Sequence, residues 1–508
     1  MPGHLLLHAI ASWGHVKPLC NFAANVVKSR PIYVTLAVSE KLLDKIELEI
    51  SRNFVSSDED AKKFIRVVSL PGGTSDLDYG PAEEAFRQVV TSLSKGEAIT
   101  CAAKGTTFEV VSPPKAAIID FFALYALTAV HDIAKIPVLA WGTHSPAHLV
   151  HTYGPVERGG AGDMKASVEA LAAKTGKGPV ETLAMTMENL PGKLITIGDL
   201  PPMYDWEFLA QPMPPPLYGH FLTIQHSSHT FLKECQGIVL TSDPCIDNGG
   251  IGAVADWTAS EQPPKKVYSI GPQLPLQAQA TVEGAGADIH TTFLDSKLAT
   301  HGSHSVVYIS FGTTWGPWGN PEKLWIIVDV LIEKNVPFIL AHASPQAIIP
   351  EEISAKIERS GLGILSKWTP QEKILAHKAI GWFLTHSGQN SVIESLSAGV
   401  PMICWDFFGD QPVNAVVLSV NLNVAYQLLE VRSGPYARKP IYRTGKAPEG
   451  TPEALRREFV DILEKAKGAD GDAKRAKAER IRDELFATTR EGGQARQALV
   501  HLLDDLEI

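Results

Sequence analysis

The chain has 508 residues and a formal net charge of −10, from 56 acidic and 46 basic side chains. That balance excludes a general nucleic-acid binder, which needs a basic surface, and gives nothing to hold an anionic membrane surface. With 44% hydrophobic and 20% charged residues the chain is globular, not disordered, and it exceeds the roughly 250 to 300 residues that one core can organise.

The chain opens MPGHLLLHAIASWGHVKP, with no basic leader and no small-residue cleavage site. We read this segment as a buried strand, not a signal peptide. Strands follow at residues 5–10, 32–38, 64–68, 116–120, 138–141 and 237–242, then at 306–310, 338–341, 381–385 and 401–405. Most are continuous apolar runs, which suits parallel strands covered on both faces, and helical stretches separate them. The class is α/β with parallel sheets. The longest mostly apolar run, Phe121 to Val130, is far short of the roughly 20 residues that span a bilayer. Five cysteines without a CxxC pair point to a reduced, cytoplasmic setting.

After the first strand comes Gly14-His15-Val16-Lys17-Pro18, which places His15 in a turn at the carboxyl edge of the sheet. Asp120 ends the strand AAIID and needs hydrogen bonds to lie beside Phe121 and Phe122. Prolines crowd residues 201–216, a loop or lid. Gly250 to Ala255 imitates a dinucleotide fingerprint, but it lies too far beyond its strand and no acid follows at the required distance. The pairs His148/His151, His226/His229 and His301/His304 lack a convincing third ligand, so no metal site is expected. Asp76/Asp78 and Asp470/Asp472 do not follow strands. Residues 273–290 lack any period and form an interdomain linker. The next strand starts near Ser305, and in the turn after it Thr313 can donate to a phosphate. The tail from Thr451 is helical, with Thr451 as cap, Pro452 at the first position and Glu453 in the first turn.

The densest stretch runs 44 residues from Trp368 to Gln411. A strand ends in the tight turn His386-Ser387-Gly388, and Asn390 and Ser391 open a helix whose free N–H groups and dipole make an anion site. Glu394 shares their face one turn deeper, where a carboxylate can accept two ribose hydroxyls. Trp368 offers a flat face for a base.

This stretch resembles the 44-residue nucleotide-sugar signature of family 1 UDP-glycosyltransferases. The resemblance implies that Trp368 stacks on uracil with Gln371 nearby, and that Glu394 takes the ribose. It also implies that His386, Asn390 and Ser391 hold the diphosphate beside Gly388, and that Asp410 and Gln411 hold the sugar. Where plant members carry Trp this chain has Gln389, and Ser387 replaces the usual Cys, both of which fit a fungal-looking subgroup. His15 and Asp120 match the family's catalytic base and its orienting acid. The fold implied is GT-B, two Rossmann-like domains facing across a cleft. Their expected bounds are 1–255 for acceptor binding, 256–304 for the linker, 305–480 for the UDP-sugar, and 481–508 for a helix crossing back.

The expected reaction is inverting transfer of a sugar, glucose by the resemblance of Gln411, from a UDP-sugar to an acceptor hydroxyl. No metal or cofactor is required. Trp13, Phe121, Phe122, Tyr125 and Trp141 lie near strand ends and suggest a lipophilic or aromatic alcohol as acceptor. A monomer is expected. The alternatives are a non-catalytic nucleotide-sugar or lipid-binding protein, and a nucleotide-sugar epimerase or hydrolase of similar architecture.

Overall fold

The computed structural model describes residues 2–72, 80–274, 288–312, 316–317, 320–344 and 346–508. Two parallel sheets organise the chain. The first, of seven strands, runs in the order Lys266–Ser269, Gly237–Leu240, Val138–Gly142, Ala116–Asp120, His4–His8, Tyr33–Ser39, Ile65–Leu70. The second, of six strands, runs Gly363–Ser366, Phe338–Ala341, Val306–Ser310, Ile380–Thr385, Met402–Cys404, Ala425–Gln427. In each, the chain starts centrally, winds out to one edge, returns and winds to the other. The order reverses between His4–His8 and Ala116–Asp120 in the first sheet, and between Val306–Ser310 and Ile380–Thr385 in the second. At such a reversal the connections leave in opposite directions and open a crevice at the carboxyl ends.

The central strands are buried on both faces, because helices cover each sheet on both sides. Even the polar residues of the first strand are enclosed and paired. His8 shares Nδ1 with the Ala37 carbonyl at 2.8 Å and Nε2 with the Tyr125 hydroxyl at 2.7 Å. Burial lowers its pKa to about 4, so it is a neutral structural histidine.

The boundaries differ from the sequence expectation in two places. Strand Lys266–Ser269 pairs with Gly237–Leu240 and extends the first sheet into the segment expected as linker. Helix Ile289–His301, capped by Asp288, packs Leu294 into the second core. At the other end, Ile481 and Leu485 of helix Ala469–Thr489 still belong to the second core. The element that crosses back is Gln494–Asp505, which buries Leu499, Leu502 and Leu503 under the first sheet. Tyr268 Oη donates to Asp505 there at 2.7 Å. The proline-rich stretch docks on the second domain: Trp206 Nε1 donates to the Pro440 carbonyl at 3.0 Å and the Gln211 amide to that of Phe407 at 2.9 Å. Among the described residues no helix is long and apolar enough to cross a membrane.

Candidate active site

His15 lies in the first turn of helix Trp13–Ser29, not in a loop as its neighbours predicted. Its Nδ1 is 2.8 Å from Asp120 Oδ2, and its side chain is 14% exposed while Asp120 is fully buried. Asp120 also accepts from the amides of Phe122 at 3.1 Å and Ile10 at 3.3 Å. These donors are what a buried carboxylate at a strand end requires. Burial alone would raise its pKa, but His15, the Phe122 amide and His144 hold it below the usual carboxylate range. For His15 the balance runs the other way. Burial would lower its pKa, and the Asp120 carboxylate, helped by Asp410, raises it above the ordinary 6.5.

Pro18, inside the same helix, has no N–H for the Gly14 carbonyl one turn back. Asn390 of the second domain fills that gap, donating from Nδ2 to Gly14 O at 2.6 Å. The two crevices therefore face each other, with His15 beside the start of helix Gln389–Ser397. That helix begins one residue earlier than expected. Ser387 before it adopts φ 65°, the left-handed conformation that costs a residue with a side chain. Gly388 is required, since a Cβ there would sit 2.5 Å from His386 Nε2. Burial drives the His386 pKa down to about 4, so the ring is neutral.

The other residues of the signature gather around this helix. Glu394 Oε2 accepts from Gln371 Nε2 at 2.7 Å, and Gln371 Oε1 accepts from Tyr308 at 3.1 Å. Ser391 lies 3.5 Å from the same Gln371 nitrogen. Gln411 Oε1 accepts from the Phe407 amide at 3.0 Å. Burial raises the Asp410 pKa to about 6, against opposing hydrogen bonds from the backbone of Ser145 and Gln389. Trp368 is half exposed, with Lys45 Nζ 4.4 Å from its ring centre. Thr313 lies outside the described residues, as do Asp76 and Asp78. Among the described residues no group of three or more His, Cys, Asp or Glu is gathered as a metal would need.

The expected acceptor aromatics divide. Phe122 is 5.2 Å, ring to ring, from His15. Phe121 and Trp141 are fully buried, and Trp141 donates to the His15 carbonyl at 3.2 Å, pinning the helix start. Tyr125 turns its hydroxyl to His8. Trp13 shares Lys45 with Trp368. Two residues beside the site were missed. His144 stands 5.5 Å from His15 and 5.2 Å from Phe122, and burial lowers its pKa to about 3. Lys17 reaches Glu394 and Glu372 across the cleft. The signals for both were there: GTHSP follows the strand beside Asp120, and Lys17 stands two residues after His15.

Residues 270–432 match the family described as UDP-glucoronosyl and UDP-glucosyl transferase. UDP-glycosyltransferase eriJ of Hericium erinaceus is 30% identical, over 99% of this chain and 98% of that protein. The chain belongs to the UDP-glycosyltransferases. Two solved plant structures share the fold along the whole chain. One is a Polygonum tinctorium UDP-glucosyltransferase capable of glucosylating indoxyl, in complex with 3,4-dichloroaniline (TM-score 0.66, 20% identity, 100% and 99% of the two chains). The other is Phytolacca americana UGT2 complexed with UDP-2fluoro-glucose and pterostilbene (TM-score 0.66, 19% identity, 100% of both). The two sheets meeting across a cleft are thus a GT-B fold.

Proposed function

We propose that this UDP-glycosyltransferase transfers glucose from UDP-glucose to a hydroxyl of a lipophilic or aromatic small molecule, inverting the anomeric carbon. The observation that carries the reading is the 2.8 Å pair of His15 and Asp120 beside the helix start at Gln389. Asp120 on Nδ1 keeps the proton there and leaves Nε2 as the base. His15 Nε2 takes the proton of the acceptor hydroxyl while its oxygen attacks the anomeric carbon. The bond from that carbon to the diphosphate breaks, and UDP leaves with the electron pair. Asp120 stabilises the imidazolium, as in other His–carboxylate pairs. The helix N-terminus, with Asn390, Ser391 and neutral His386, receives the charge that develops on the diphosphate. Neutral donors suffice for this, so no metal is invoked. Trp368 would stack on uracil, Glu394 would take the ribose, and Asp410 and Gln411 would hold the sugar.

The Phe122 ring and the His144 imidazole beside His15 favour an aromatic or lipophilic acceptor, the type handled by the two plant proteins. The test is an acceptor panel with competing UDP-sugars, in chelator, read by mass spectrometry and NMR. A β-glucoside is the expected product, since attack on an α-linked donor in one step inverts it. An α-linked product, a clear preference for glucuronate, or activity abolished by EDTA and restored by a divalent ion would each overturn its part of the reading.

The base also sets a pH profile. A general base works when neutral, so kcat/KM should rise with pH through the His15 pKa of the free enzyme. Asp120 raises that pKa, so the acid limb should lie above 6.5. In Asp120→Asn the raising charge is gone and burial remains, so the limb should move to lower pH as the maximum falls. An unmoved limb would exclude His15 as the titrating group.

A further inference from the structure

We propose that Lys17, a residue of the first domain, is a donor-positioning residue: it reaches across the cleft to aim and counter-charge the carboxylate that receives the ribose. This rests on the ribose reading of Glu394. Lys17 Nζ lies 2.7 Å from Glu394 Oε1 and 2.5 Å from Glu372 Oε1. Arg52, also of the first domain, holds the other Glu372 oxygen at 2.5 Å. The Lys17 side chain is 14% exposed and that of Glu394 9%, so solvent screens the pair little. Burial would lower the Lys17 pKa, but Glu394 and Glu372 outweigh it and keep the ammonium charged.

Charge explains why a lysine belongs there. None of the ten residues assigned to the donor carries a positive charge; His386 is neutral, and Glu394 and Asp410 are acids. UDP brings an anionic diphosphate into that setting. A carboxylate next to it, uncompensated in a poorly solvated cleft, would oppose the ligand it must bind. Lys17 offsets that charge without blocking the acceptor atoms. An ionised carboxylate has about four lone-pair sites; Lys17 and Gln371 each take one, on different oxygens, which leaves one per oxygen for the two ribose hydroxyls.

Position adds a second consequence. Lys17 is two residues from His15 on the same helix, whose Gly14 carbonyl is held by Asn390. One turn of helix is therefore tied to the donor site at two points, and the donor site is complete only with the first domain docked. UDP affinity becomes a property of both domains, and the base is carried on the element that completes it.

The experiment measures uridine and UDP binding by calorimetry, with steady-state kinetics, for wild type, Lys17→Met, Lys17→Gln, Lys17→Arg and Glu394→Gln. Loss of one charge-assisted contact predicts uridine and UDP binding about tenfold weaker in Lys17→Met. The KM for the UDP-sugar should rise in parallel, with kcat at saturating donor changed far less. Lys17→Arg should regain most of the loss, and Lys17→Met should add little in the Glu394→Gln background. Should Lys17→Met fail to fold, Lys17→Gln, which keeps a polar donor one bond shorter but not the charge, carries the same expectation. Unchanged affinity in the Lys17 variants would overturn the proposal. So would tighter binding, which would mean that Lys17 competes with the ribose. If Glu394→Gln itself binds uridine like wild type, the ribose reading fails instead, whatever Lys17 does.

Discussion

Replacing His15 by alanine should lower turnover on an ordinary alcohol acceptor by about 10² to 10⁴, the usual worth of a positioned general base. An alcohol is a poor nucleophile while protonated, and the two other imidazoles placed at the site, His144 and His386, are held neutral by burial, with pKa values of about 3 and about 4. Bases so weak cannot replace His15. Acidic acceptors such as nitrophenols should lose much less, because they ionise unaided. The substitution also has a structural cost. Asp120 is fully buried, and without His15 its hydrogen bonds among the described residues are those from the amides of Phe122 and Ile10. Leaving a buried charged acceptor short of a partner costs about 1 to 3 kcal/mol or more, so the single variant should melt measurably lower. Adding Asp120→Asn removes that charge. The double variant should be little slower than His15→Ala, because groups in one relay are not additive, and it should recover part of the lost stability. Near-normal turnover of His15→Ala on an alcohol would refute the base. Fully additive losses in the double variant would refute the relay.

The parts of this architecture that were legible in the sequence are the parts where burial is complete. Strands such as Ala116–Asp120, Val306–Ser310 and Phe338–Ala341 are covered on both faces, so their sequences are unbroken apolar runs with sharp ends. The strands missed in the two sheets, Lys266–Ser269, Gly363–Ser366 and Ala425–Gln427, are all edges. An edge strand is short and partly exposed, so its pattern (KVYS, GILS, AYQ) carries little periodic signal. The weak pattern of the edge at Lys266–Ser269 is also why the sequence places the first domain's end at residue 255, ahead of a strand that pairs into its sheet. For the site, local motifs foretold what neighbours in sequence hold together, such as the turn before Gln389. They could not foretell contacts between residues hundreds of positions apart. Lys17 with Glu394 and Asn390 with the Gly14 carbonyl exist only because two sheets dock, and no short pattern encodes docking. Trp141 is a related case within the first domain. Its position at a strand end was right, but which way a ring turns depends on what packs over it, and here Phe22 and the His15 carbonyl claim it.

Glu394→Ala should raise the UDP-sugar KM and the UDP Kd on the order of 10- to 100-fold, from about 1.5 to 3 kcal/mol for charge-assisted bonds to the ribose. The acceptor KM should stay near its original value, since Glu394 belongs to the second domain and the acceptor residues to the first. The change should exceed that of any Lys17 variant, because it deletes the acceptor atoms themselves and not their counter-charge. A general loss of affinity is not enough to establish the contact, since Gln371 and Lys17 also lose a partner in this variant. Comparison of UDP with its 2′-deoxy analogue isolates it. If a ribose hydroxyl donates to Glu394, the native enzyme should prefer UDP clearly, because the deoxy analogue leaves one acceptor site of the buried carboxylate unfilled, beside the sites that Lys17 and Gln371 occupy. In Glu394→Ala that preference should collapse, as neither ligand has an acceptor to meet. A preference that survives the substitution would move the ribose to another residue, and with it the orientation of the donor in the cleft.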